Sequence, residues 1–268
     1  MVGQERLLKE INKLNLSTFP RTLMLTGAVG SGRHLLCKEI AKRLNLDLVD
    51  ITNELTLDTI TRIMETVEPH IYLIDLAETT IREQNIILKF IEEPLKNAYV
   101  IVIKTPELVV LSTTQNRCVE WSMDMYSMSD LRGFFTTDDK EKEYMIWEIA
   151  RTPGQVIKYQ QEPIEEMFAL AEKICDNIGR ATLPNTLTLT DKIAFKNEKD
   201  KFDFDTFMMV LKVVARNKFA QQSVSESFVR KVIDYSYKTF TNNVNKEHIF
   251  AGLLIEIREV MRLWNSKN

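Results

Sequence analysis

Two glycines five positions apart, Gly27 and Gly32, with Gly30 between them, constrain this chain more than any other feature. They belong to Gly27-Ala28-Val29-Gly30-Ser31-Gly32-Arg33-His34. The apolar run Thr22-Leu23-Met24-Leu25-Thr26 precedes them, and Leu35-Leu36-Cys37-Lys38-Glu39-Ile40-Ala41, which has helical period, follows. Strand, glycine-rich turn and helix in that order make a loop whose N–H groups turn inward around an anion at the positive end of a helix. The spacing is that of the P-loop, but the next two residues are not. A phosphate-hydrolysing loop needs Lys to reach the β- and γ-phosphates, then Ser or Thr to hold Mg²⁺. Here the two are Arg33 and His34. Arg is bulkier and planar, and an imidazole is a poor substitute for an oxygen ligand on Mg²⁺. The loop keeps its geometry and loses its chemistry.

Strands alternate with helices on either side of this loop. Leu7, Leu8, Ile11 and Leu14 give one amphipathic helix before it. After it, strands are expected at Leu46–Ile51, Ile71–Asp75, Tyr99–Ile103 and Cys118–Trp121. Helices fill the gaps: Thr56 to Val67, ended by Pro69, and a longer one running to Pro94 with Thr80 and Glu83 at capping-box spacing. Such alternation predicts a parallel sheet covered on both faces. Beyond Trp121 the pattern becomes helical, with a turn at Thr152-Pro153-Gly154 and a loop expected from Leu183 to Lys199. Helical stripes follow at Phe207, Val210, Leu211 and Val214, at Val229, Val232, Ile233 and Ser236, and at Ile249, Leu253, Ile257, Val260 and Trp264. The expected organisation is an α/β core over 1–122, a small helical lid over 123–161 and a helical domain over 162–268.

Composition excludes several function classes. The net charge of −3 without a basic block argues against free-standing nucleic-acid binding. No apolar run reaches bilayer length and no signal peptide is seen, so a cytoplasmic location without membrane contact is expected. Cys37, Cys118 and Cys175 are isolated, and His34, His70 and His248 match no ligand spacing, so no metal site is expected. Met123, Met125 and Met128 read as gap-filling side chains.

The second half of the phosphate site is also incomplete. Asp75 ends an apolar strand where a Mg²⁺-linked Asp belongs, but Leu76 stands where Glu would activate water, and Glu78 lies three residues on. Around it, Glu83-Gln84-Asn85-Ile86-Ile87-Leu88-Lys89-Phe90-Ile91-Glu92-Glu93-Pro94 resembles the N-x-L-L-K-x-L-E-E-P signature of clamp-loader subunits of the AAA+ class. Asn116-Arg117-Cys118 resembles their S-R-C motif, with Asn for Ser, and Val2-Gly3-Gln4-Glu5 their N-terminal box. Thr152-Pro153-Gly154 is similar to the S-P-G lid turn of the δ-prime branch, and Asn243, Asn245, Leu254 and Glu256 to its last collar signature. A zinc module, common in bacterial members, has no room here.

The resemblance implies an AAA+ P-loop core with lid and collar. It further implies a non-hydrolysing δ-prime-like subunit of the replicative DNA polymerase III clamp loader, which loads the sliding clamp onto primed DNA. Motor subunits would carry Lys-Ser/Thr, Asp-Glu and a lid Arg, and this chain has Gly154 at that lid position. Arg117 would act in trans, as an arginine finger on ATP held by a neighbour. The implied partners are motor subunits of γ/τ type and the δ subunit, with clamp and primer-template DNA contacted through the assembly.

Other readings of the same residues stand beside these. Gly27, Gly30, Gly32 and Arg33 form either a turn that never meets nucleotide or a relic site for ADP, ATP or an anion, and no bound cofactor is expected. Asp75 either caps its strand or belongs to that relic. Lys104 and Thr105 sit where a γ-phosphate sensor would be and are read as structural. The rival functions are a self-sufficient ATPase or kinase using Arg33, and a purely structural adaptor. The clamp-binding δ subunit is a nearer rival.

Overall fold

The computed structural model describes residues 2–92, 97–192, 202–221 and 246–265. Glu93 and Pro94, the stripe at 229–236, Asn243, Asn245 and the Trp264 side chain lie outside what is described. The chain divides into two compact units, Met1–Gly133 with Thr152–Gly154, and Phe134–Arg151 with Gln155–Asn268.

The first unit carries α1 (Glu5–Lys13), β1 (Thr22–Thr26), α2 (Arg33–Leu44), β2 (Asp47–Asp50), α3 (Leu57–Met64) and β3 (His70–Asp75). It continues with α4 (Ile81–Glu92), β4 (Ala98–Lys104), α5 (Ser112–Gln115), β5 (Val119–Ser122) and α6 (Met128–Arg132). The five strands form one parallel sheet in the order β2-β3-β4-β1-β5. Parallel strands need helical crossovers, which cover both faces and make the central strands apolar throughout. Side chains alternate accordingly. Leu23, Leu25, Ile71, Leu73, Tyr99, Ile101 and Ile103 pack with α1 and α2. Met24, Tyr72, Ile74, Val100 and Val102 pack with α3 and α4 on the opposite face. Each aliphatic side chain buried this way contributes about 1.5–3 kcal/mol.

The caps follow the expected chemistry. Thr80 and Glu83 close the capping box of α4: the Thr80 amide donates to Glu83 Oε2 at 2.7 Å and the Glu83 amide to Thr80 Oγ1 at 3.3 Å. These bonds hold the Glu83 carboxyl below its usual range.

The second unit is helical: α7 (Lys140–Ile149), α8 (Pro153–Gln161, from Gln155 onward), α9 (Ile164–Ile178), α10 (Leu183–Lys192), α11 (Phe204–Gln221) and α12 (Lys246–Asn265). The long α9 packs against α7, α11 and α12. The two described stripes read from the sequence are core: Phe207, Val210, Leu211, Val214, Ile249, Leu253, Ile257 and Val260 are buried.

Two expectations need correction. The loop expected from Leu183 to Lys199 is helical over its first ten residues, as α10. Thr182 starts it by accepting the Thr186 amide at its carbonyl, Pro184 sits in the first turn where no N–H is needed, and Thr186 is buried. Threonines at 186, 188 and 190 lower helix propensity and hid this helix, and packing against α12 overrides them. Met125 and Met128 are not gap fillers, being 96% and 59% exposed; Met123 alone of the three packs against the core.

Candidate functional site

The glycine loop leaves β1 at the carboxyl edge of the sheet, where ligands of open parallel sheets bind. The Gly27 amide donates to the Lys104 carbonyl at 3.0 Å, and the Ser31 amide closes a turn on Ala28 at 3.0 Å. Gly30 (φ 77°) and Gly32 (φ 90°) adopt left-handed backbone that side chains strain to enter. Gly32 is also the N-cap of α2. A Cβ at Gly27 would stand 2.7 Å from Ser31 Oγ and 2.8 Å from Met123 Sδ. The glycine spacing therefore yields the tight turn it predicts.

This turn is bonded to other parts of its own unit. Thr152 Oγ1 donates to the Val29 carbonyl at 2.8 Å, and the Gly154 amide to the Gly30 carbonyl at 2.9 Å. The Tyr126 hydroxyl donates to the Ser31 carbonyl at 2.5 Å. Three consecutive carbonyls of the loop are thus held from outside it. Position 154 must be glycine for a separate reason: a Cβ there would come within 2.6 Å of Gly30 Cα.

Arg33 begins α2, half-buried, and its Nη1 is sealed from solvent without a hydrogen-bond partner. His34 is exposed. One turn on, burial pushes the Cys37 thiol up to about 12 against the pull of the Arg33 charge, which leaves it inert as a nucleophile. Asp75, at the end of β3, is buried; its Oδ1 accepts the Ala77 amide at 3.0 Å and its own amide donates to Thr52 Oγ1 at 2.9 Å. Its oxygen therefore caps the short turn at 76–78. Leu76 is buried and Glu78 exposed. Lys104 is buried at the end of β4, with Nζ 3.5 Å from the Leu108 carbonyl.

Arg117 lies elsewhere. It occupies the turn between α5 and β5, its amide closing on Thr114 at 3.2 Å. Since Val119 stands beside Leu23 in the parallel register, this turn is at the amino edge of the sheet, opposite the glycine loop. Five residues of β1 separate the two edges, roughly 16 Å at about 3.3 Å per residue. The structure thus does not bring Arg117 together with Gly27, Gly30, Gly32, Arg33 and Asp75. Its side chain is 39% exposed; Nη1 donates to the Thr113 carbonyl at 2.8 Å and Nη2 pairs with Glu92 Oε1 at 2.8 Å.

Residues 37–126 match the family model described as DNA polymerase III, delta subunit. The match covers about a third of the chain. The matched stretch holds Asp75, Glu92 and Arg117 and begins after the glycine loop. Among solved structures, the chain is similar to a DNA polymerase III gamma subunit-related protein from Thermotoga maritima. The two share 15% identity over 97% of this chain and 100% of that one, with a TM-score of 0.44. It is also similar to the Thermotoga maritima RuvB Holliday junction branch migration motor, at 16% identity over 98% of this chain and 87% of that one, with a TM-score of 0.49. No curated protein matches.

Two parts of this site escaped the sequence. Glu92 was visible as part of a signature, but nothing in the spacing paired it with Arg117, 25 positions away. The N-terminal box has a packing role: Gln4, fully buried, donates through Nε2 to the Asp124 carbonyl at 2.8 Å and accepts the Asp124 amide at 2.9 Å. Arg6 pairs with the Asp124 carboxylate at 2.9 Å. These bonds hold the segment carrying Met123 and Tyr126 against the glycine loop. Among the described residues no cluster of His, Cys, Asp and Glu could hold a metal, and no helix is long and apolar enough to cross a membrane.

Proposed function

We propose that this chain is a δ-prime-like clamp-loader subunit that does not hydrolyse ATP and that lends Arg117 to a neighbour's nucleotide. One observation carries the reading: Arg117 sits exposed at the edge of the sheet opposite the chain's own glycine loop, so it can meet a phosphate only in trans. The loop side supports it. No hydroxyl follows the loop at position 34, Asp75 is engaged as a cap, Leu76 replaces a carboxylate, and Arg33 is partly buried. The residues present do not fit Mg²⁺-nucleotide, and the degenerate P-loop serves as a packing element. We carry the lid over 123–161 and the collar over 162–268 as parts of this proposal. Its partners are motor subunits of γ/τ type and the δ subunit, with the sliding clamp and primed DNA engaged through the assembly.

An arginine finger contributes ~10³–10⁵ in rate, about 4–7 kcal/mol of barrier. The test is the ATPase of the complex reconstituted with motor subunits: Arg117→Ala lowers its kcat while the purified chain alone turns over nothing. Unchanged activity of the complex removes the finger and leaves the structural-adaptor reading.

A further inference from the structure

We propose that Glu92 is the positioning residue of Arg117: it holds the guanidinium preorganised while leaving most of its donors free for an external phosphate. The proposal rests on the trans reading above. A guanidinium has five N–H donors. The structure engages one on each terminal nitrogen, Nη1 with the Thr113 carbonyl and Nη2 with Glu92 Oε1, both at 2.8 Å. The bonds come from opposite directions in the chain, one from α5 just before Arg117 and one from the last residue of α4. Two fixed points on a planar group set its orientation as well as its position, and three donors remain.

The surroundings show why a carboxylate is needed. Arg117 and Glu92 line a cleft of about 320 Å³ together with Arg21, Thr22, Ile91 and Val119. Arg21 stacks over the Tyr99 ring, 4.6 Å from its centroid, and brings a second positive charge to the same cleft. Two cations in one cleft repel, and Glu92 offsets that repulsion from the side of Arg117. Stability does not explain the pair. With side chains 39% and 46% exposed, such a bridge adds little to stability. Holding a long, entropy-rich side chain in one aim matters more, because a misplacement of about 1 Å at a reacting centre can cost ~10²-fold. The weakness of the bridge is itself useful, since a phosphate carrying a higher charge can compete with the carboxylate without a large barrier.

The experiment uses the reconstituted complex of this chain with its ATPase neighbours and four versions of the chain: wild type, Glu92→Ala, Arg117→Ala and the double variant. Glu92→Ala should lower kcat about tenfold with KM for ATP unchanged, less than Arg117→Ala does, and the double variant should match Arg117→Ala alone. Glu92→Gln, which keeps an acceptor, should recover part of the loss, and the melting temperature of the chain should stay put throughout. If Arg117→Ala slows the complex and Glu92→Ala does not, the positioning role is overturned and the finger stands. If Glu92→Ala costs as much in the Arg117→Ala background as in wild type, Glu92 acts through something else and the proposal is likewise overturned. Indifference to Arg117→Ala overturns the finger, and the positioning role with it.

Discussion

Gly154 and Gly30 touch backbone to backbone: the Gly154 amide donates to the Gly30 carbonyl at 2.9 Å, and no side chain fits at 154 without meeting Gly30 Cα. Position 154 is thus a spacer against the loop itself.

Gly154→Ala should therefore destabilise the chain by about 1–3 kcal/mol, the range for overpacking against backbone. Thr152→Ala should cost less, about 0.5–1.5 kcal/mol, since it removes the hydrogen bond to the Val29 carbonyl and adds no clash. Denaturant unfolding of the two variants beside wild type checks the order. Equal costs would mean that the contact at Gly30 yields to a methyl group.

Repairing the loop alone should not make an ATPase. The double variant Arg33→Lys, His34→Thr restores the P-loop cations' handles, but Asp75 Oδ1 still accepts the Ala77 amide and Leu76 still replaces the carboxylate. Calorimetry with ATP and Mg²⁺, followed by a phosphate-release assay, should show no turnover by wild type or by the variant. Turnover by wild type would favour the self-sufficient ATPase.

In the helical unit, Asp203 starts α11 by accepting the Thr206 amide at 2.9 Å and its hydroxyl at 2.6 Å, and it pairs with Lys158 at 2.8 Å. Burial pushes its carboxyl up, but Lys158 and Thr206 outweigh that and hold it below the usual value. A folded pKa below the unfolded one, about 3.9, gives stability that is present above that pH and lost as pH falls through the folded value. Asp203→Ala should cost about 1–2 kcal/mol near pH 7, and the gap from wild type should narrow below about pH 4. Melting curves across that range measure it, and a gap independent of pH would show that the charge contributes nothing.

Much of the first unit was legible because its signals are local. Alternation in Leu23-Met24-Leu25 and Tyr99-Ile101-Ile103, glycine at the two left-handed positions and the Thr80–Glu83 box each act within a few residues. Family signatures added Arg117 and Glu92 as motif members, although not as partners. The α10 helix was hidden because its threonines oppose helix on their own and its support comes from α12, over fifty positions away.

By itself the sequence determined an α/β sheet with a glycine turn after its first strand, two missing cation handles and an arginine before the last strand. Those are matters of side-chain chemistry and period, which a linear chain displays. Only the tertiary structure decided that the arginine and the turn lie on opposite edges of the sheet, that Glu92 pairs with the one, and that residues 152–154 close on the other. Strand order and register set those relations, and both depend on which apolar faces find each other in three dimensions.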